Sequence, residues 1–125
     1  MADEAVVTFF AIGDFGKPGE RLRWLAEGMS KYGADCGNPG FILGLGDNFY
    51  PFGVESVDDA QWATTWEHNF LNFPNLRAPW YVVLGNHDYG WNPQAQIDFT
   101  NHPSNPEGIW RLMSNPNPDP GPDPP

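Results

Sequence analysis

Four side chains able to bind a metal or move a proton follow glycines at the ends of apolar runs. Asp14 follows Gly13, Asp47 follows Gly46, and Asn86 and His87 follow Gly85. Carboxylate, amide oxygen and imidazole together suit iron, manganese or zinc better than a soft thiolate site would. Two carboxylates from neighbouring strands could also hold two ions about 3.5–4 Å apart, the spacing that clamps both ends of a phosphoryl displacement. Each motif alone has a plainer reading, since Gly, Asn and Asp also suit tight turns. The threefold recurrence is what favours chemistry.

Those residues need a scaffold that brings them to one place. Ala5–Asp14 is a continuous apolar run rich in β-branched and aromatic residues, the pattern of a strand buried on both faces. Phe41–Asp47 and Trp80–Asn86 read as two more buried strands. Between the first two, Glu20–Gly33 carries Leu22, Leu25, Ala26 and Met29 at helical spacing, with Gly33 placed to end the helix. Ser56–Phe70 opens with the capping-box pair Ser56 and Asp59 and sets Trp62, Trp66 and Phe70 on one face. The order β-α-β-α-β implies parallel strands joined by right-handed crossovers, with all C-terminal ends at one edge. Open α/β sheets bind ligands outside that edge. Each glycine there is expected to turn the backbone so that the next side chain projects into the crevice.

The chain has 125 residues, the length of one domain. Its 14 glycines and 14 prolines concentrate in part in Asn115–Pro125, and residues 114–125 read as a proline-rich disordered tail beyond a globular unit at 5–113. Net charge is −10, with 16 acidic against 6 basic residues. That balance repels nucleic-acid phosphates and anionic membrane surfaces, yet it accords with cation binding. The single cysteine, Cys36, excludes an internal disulfide, has no basic neighbour to activate it and reads as structural. No signal peptide or membrane-spanning run is legible, which leaves the compartment open.

At this point the motifs show a family resemblance. Asp14-Phe15-Gly16, the run Gly44-Leu45-Gly46-Asp47-Asn48-Phe49-Tyr50, and Gly85-Asn86-His87-Asp88 resemble the first three metal motifs of the calcineurin-like metallophosphoesterases. The second and third are most similar to those of the purple, or tartrate-resistant, acid phosphatases. The resemblance implies an αββα sandwich and a dinuclear centre of Fe(III) with Fe(II), Zn or Mn, whose metal-bound hydroxide hydrolyses small phosphate monoesters. It implies that Asp14 binds the ferric ion, Asp47 bridges both ions and Asn86 binds the divalent one. His87 would contact the phosphate and help protonate the leaving group. Many relatives carry a histidine where Gly16 stands. Tyr50 matches the tyrosinate of the purple enzymes, and phenolate is a hard donor suited to Fe(III). Asp88, where the family has Asp or Glu, is read as fixing the turn.

The sequence also departs from the pattern. The family completes its site with three histidines from the second half of its fold, in an isolated His motif and a Gly-His-x-His motif that this sequence does not contain. His68 and His102 have no ligand-like spacing and read as solvated. Gly108–Met113 resembles the start of a further strand. The expectation is therefore an N-terminal half of such an enzyme, whether a truncated paralogue, a splice or gene-model product, or a fragment. A kinase magnesium motif at Asp14-Phe15-Gly16 is rejected because only 13 residues precede it. A dinucleotide loop fails for want of its third glycine. Two functions stay open: a metal-dependent acid phosphatase, and an inactive chain that binds metal weakly or acts through a partner. An uncovered sheet face is expected to favour self-association.

Overall fold

A computed structural model describes residues 6–112 of the chain. Its centre is a four-stranded parallel sheet in the order β1-β2-β3-β4. The strands are β1 (Phe9–Ile12), β2 (Phe41–Gly44), β3 (Trp80–Val82) and β4 (Trp110–Arg111). The main helices are α1 (Glu20–Cys36), a π-helix (Trp62–Leu71) and α2 (Pro93–Asp98). The three expected strands are present and parallel, and β4 lies where the sequence suggested a further strand.

Strand side chains alternate between two faces, and here the faces differ. Phe10, Ile42, Trp80 and Trp110 fall in one register row, and the last three are fully buried. On that side α1 sends down Leu22, Ala26 and Met29, while the π-helix sends down Trp62, Trp66, Phe70 and Leu71. Trp62 stacks on Phe99 at 3.7 Å, and Trp66 packs edge-on against Trp80 and Trp110. Such aromatic pairs contribute about 0.5–1.5 kcal/mol each beyond their burial.

The opposite face is bare among the described residues. Phe9 stacks on Phe41 at 5.0 Å, Phe41 meets Tyr81 edge-on, and the Arg111 guanidinium lies 5.5 Å over the Tyr81 ring. Phe9, Tyr81 and Val83 are exposed. The apolar runs thus correct the expectation of strands buried on both sides, because the described helices pack on one side only. Three smaller readings are also corrected. Helix α1 continues through Gly33, which is buried where Pro39 and Asn75 leave little room for a side chain, and ends at Gly37. Cys36 is its exposed last residue rather than part of a loop. The Ser56 motif forms a turn rather than a capping box, and the Asp59 carboxylate accepts the Glu55 and Gln61 N–H groups just ahead of the π-helix, whose start carries no side-chain cap. The predicted tail at 114–125 lies outside the described residues.

Candidate metal centre

Parallel pairing brings the ends of β1, β2 and β3 together, and backbone hydrogen bonds continue the ladder past the strands. Leu45 N–H donates to Ile12 O, Asp14 N–H to Gly46 O, Gly16 N–H to Asp47 O, and Val83 N–H to Gly44 O. Asp14 and Asp47 themselves take the left-handed turn, with φ of 56° and 52°. The expectation had placed the turns on the preceding glycines, which holds for Gly46 at φ 106° but not for Gly85 at −95°. Aspartate tolerates the left-handed turn because its short side chain can bond locally. Gly85 serves close approach instead: a Cβ there would collide with the Asp47 backbone and carboxylate.

Three of the predicted residues converge on one point. The Tyr50 hydroxyl donates to Asp47 Oδ2 at 3.1 Å and approaches Asp14 Oδ1 at 3.4 Å. Asp47 Oδ1 faces another way and accepts the His87 N–H at 3.0 Å. Asp47 is buried and Asp14 exposed, so the cluster opens to solvent on the Asp14 side. Burial, then the hydrogen bond to Asp47 and its charge, then the charge and hydrogen bond of Asp14, push the Tyr50 phenol up to about 12. Two carboxylates thus oppose a third anion where no cation offsets them.

The two remaining residues sit on the 3₁₀ turn Asn86–Tyr89. His87 Nδ1 lies 2.7 Å from Pro51 O, and the ring centre is 4.7 Å from that of Tyr50. A carbonyl only accepts, so Nδ1 carries the hydrogen and Nε2 is left for chemistry. Asn86 is exposed and its side chain makes no hydrogen bond among the described residues. His68 and His102 stay apart: His68 is exposed on the π-helix, and His102 stacks on Phe99 and accepts the Ser104 N–H. Neither bonds to any of the five candidates.

The donor set fits a hard cation. Two carboxylates and a phenol meet within hydrogen-bonding distance, and all are oxygen ligands. Among the described residues no three His, Cys, Asp or Glu side chains gather as a metal group, and the third donor of this cluster is a tyrosine.

The sequence pattern of the calcineurin-like phosphoesterase family matches residues 7–121. The chain belongs to that family. Among curated relatives, this calcineurin-like chain is 36% identical over 92 residues to purple acid phosphatase 4 of Arabidopsis thaliana, covering 73% of the chain and 26% of the relative. It is 35% identical over 112 residues to human tartrate-resistant acid phosphatase type 5, covering 80% and 33%. The chain therefore spans about a quarter to a third of the length of the curated relatives it matches. A solved structure described as GAP50, the anchor in the inner membrane complex of Plasmodium, superposes with a TM-score of 0.68. Identity to it is 23%, with 84% of this chain and 32% of that one covered, a likeness of fold. Among the described residues of this calcineurin-like phosphoesterase no helix is long and apolar enough to cross a membrane.

The sequence did not single out Asn48 and Gln96, which are fully buried beside the site, nor the Pro51 carbonyl that orients His87. Asn48 adjoins Asp47 and could have been suspected. Gln96 carries no local signal, and a backbone carbonyl has no sequence signature at all.

Proposed function

We propose that the chain supplies metal ligands and a proton donor to a phosphatase of the acid phosphatase type, acting on small phosphate monoesters. The observation that carries this reading is the meeting of Tyr50, Asp47 and Asp14 at the ends of two adjacent strands. Asp14, Asp47 and Tyr50 would hold Fe(III), and Asp47 with Asn86 would hold a divalent ion, Fe(II), Zn or Mn. When bound, such ions supply Lewis acidity, offset phosphate charge and acidify water.

The chain's own groups do the rest. Asp47 presents its two oxygens in different directions, one toward Tyr50 and one toward the His87 backbone. Pro51 fixes the His87 ring, so that Nε2 can donate a proton to a leaving alkoxide when the imidazole is charged. A phosphate dianion is repelled by Asp14 and Asp47 on their own, so phosphate binding should require added cation.

A second reading, a non-catalytic chain that binds metal weakly or acts with a partner, is favoured by the oxygen-only donor cluster. Water can fill open positions but does not give transition metals the affinity that imidazole does. The test is aryl phosphate hydrolysis at mildly acid pH by the chain loaded with iron and zinc, beside metal analysis. Turnover that survives repurification and disappears in Asp47→Asn and His87→Ala supports the phosphatase. Metal binding without turnover selects the second reading. Two tightly held ions in Asp47→Asn would sink the bridging role.

A further inference from the structure

We infer that Asp88 is a positioning residue that sets the separation of the two ligand-bearing loops, an inference that rests on the metal-centre reading above. Asp88 is fully buried, and among the described residues no cationic side chain pairs with it. Its carboxylate instead collects N–H groups from three parts of the chain. Oδ2 accepts the Gly85 N–H at 2.8 Å, immediately before Asn86 and His87. The Asn48 N–H lies 3.1 Å from both oxygens, and the Phe49 N–H reaches Oδ1 at 3.2 Å, immediately after Asp47. Gln96 Nε2 on α2 donates to Oδ1 at 3.0 Å.

Fixing the local turn needs only the Gly85 contact. The Asn48 and Phe49 contacts do something else: they tie the residues that follow Asp47 to the residue that precedes Asn86 and His87. The tie is reinforced from the side. Asn48 Nδ2 donates to Val83 O at 2.9 Å and to Gln96 Oε1 at 3.1 Å, while the Gln96 carbonyl accepts the Trp110 indole N–H at 3.0 Å. Burying a carboxylate costs heavily unless it is well bonded, and a neutral side chain could cap the turn alone. The anion is explained by the number of donors it must gather at once. An amide would face at least two of these N–H groups with an NH₂ and push the loops apart.

Outer ligands of this kind typically change metal affinity by about 10–100-fold when replaced. The experiment compares wild type, Asp88→Asn, Gln96→Met and Asp47→Asn as the full chain. Zn²⁺ affinity is measured by calorimetry, the visible absorption of the Fe³⁺ complex by spectroscopy, and amide hydrogen exchange on metal-free protein. Asp88→Asn is expected to weaken Zn²⁺ binding about 10–100-fold, to move the Fe³⁺ band, and to speed exchange at Asn48, Phe49 and Gly85. Ile42 and Trp80 amides, in the sheet, should keep their protection. Should Asp88→Asn fail to fold, Gln96→Met decides by a smaller change of the same local kind. Unchanged affinity with slow exchange at the three amides overturns the inference, and so does a uniform loss of protection across the sheet. Asp47→Asn keeps the two readings apart. If it binds Zn²⁺ like wild type, the metal-centre reading fails and the exchange data alone judge Asp88. If it loses Zn²⁺ while Asp88→Asn does not, the metal centre stands and the positioning role falls.

Discussion

The sequence resemblance set a histidine at the position of Gly16, and the surrounding backbone leaves no room for one. A Cβ at this position would run into the Asn48–Phe49 peptide. Gly16 N–H donates to Asp47 O at 3.2 Å, and its carbonyl accepts the Tyr50 N–H at 2.9 Å. The absent side chain therefore lets the Tyr50 segment lie against the β1 loop, which brings the phenol beside Asp14. Gly16→Ala should destabilise the chain by about 1–3 kcal/mol in urea unfolding, as overpacking does, and should weaken the visible colour of the iron-loaded chain. Tyr50→Phe should remove that colour altogether, and colour surviving the change would assign the donor elsewhere. Tyr50 also makes a pH prediction for metal-free protein. Its phenol ionises near 10 when unfolded and about 12 when folded, so between those values the folded state holds more protons than the unfolded one. Stability from this source is intact below pH 10 and drains as pH rises toward 12. Urea unfolding on the alkaline side should show a shallower decline in Tyr50→Phe.

The π-helix carries the interior on one stripe, and Asp59 braces the turn that leads into it. Asp59→Ala, which strips the acceptor from two backbone N–H groups, should cost about 1 kcal/mol, whereas Ser56→Ala, which strips one, should cost less in the same denaturation series. Trp66 is fully buried among Trp62, Trp80, Phe99 and Trp110, so Trp66→Ala should cost about 3–5 kcal/mol. The elements were legible because β-branched and aromatic runs, heptad-like apolar spacing and glycine punctuation act locally. Parallel pairing followed from their alternation with helices. What escaped the sequence was set by tertiary packing. Gly33 looked like a stop but is tolerated inside α1, where Pro39 and Asn75 crowd it. Left-handed turns fell on Asp14 and Asp47, residues that sequence reading had assigned only to metal binding. Asp88 could be seen as a turn residue, but its partners Asn48 and Gln96 are 40 and 8 positions away.

At the scale of the molecule, charge and exposed apolar surface pull against one another. The net charge of −10 disfavours association. The bare sheet face offers Phe9, Phe41, Tyr81 and Val83 on one side, and β1 is an edge strand among the described residues. Salt screens the repulsion but not the apolar contact, so the chain should self-associate more as ionic strength rises. Sedimentation across a salt series checks this, with Tyr81→Glu expected to keep the chain monomeric. The aromatic interior has a consequence of another kind. Trp62, Trp66, Trp80 and Trp110 place pairs of indoles 4.8–6.3 Å apart with their planes nearly perpendicular. Transition dipoles at such separations couple, so the far-ultraviolet circular dichroism should carry an exciton signal superimposed on the helical one. That signal exists only while the quartet is assembled, which gives the chain a built-in optical gauge of side-chain packing, independent of its backbone.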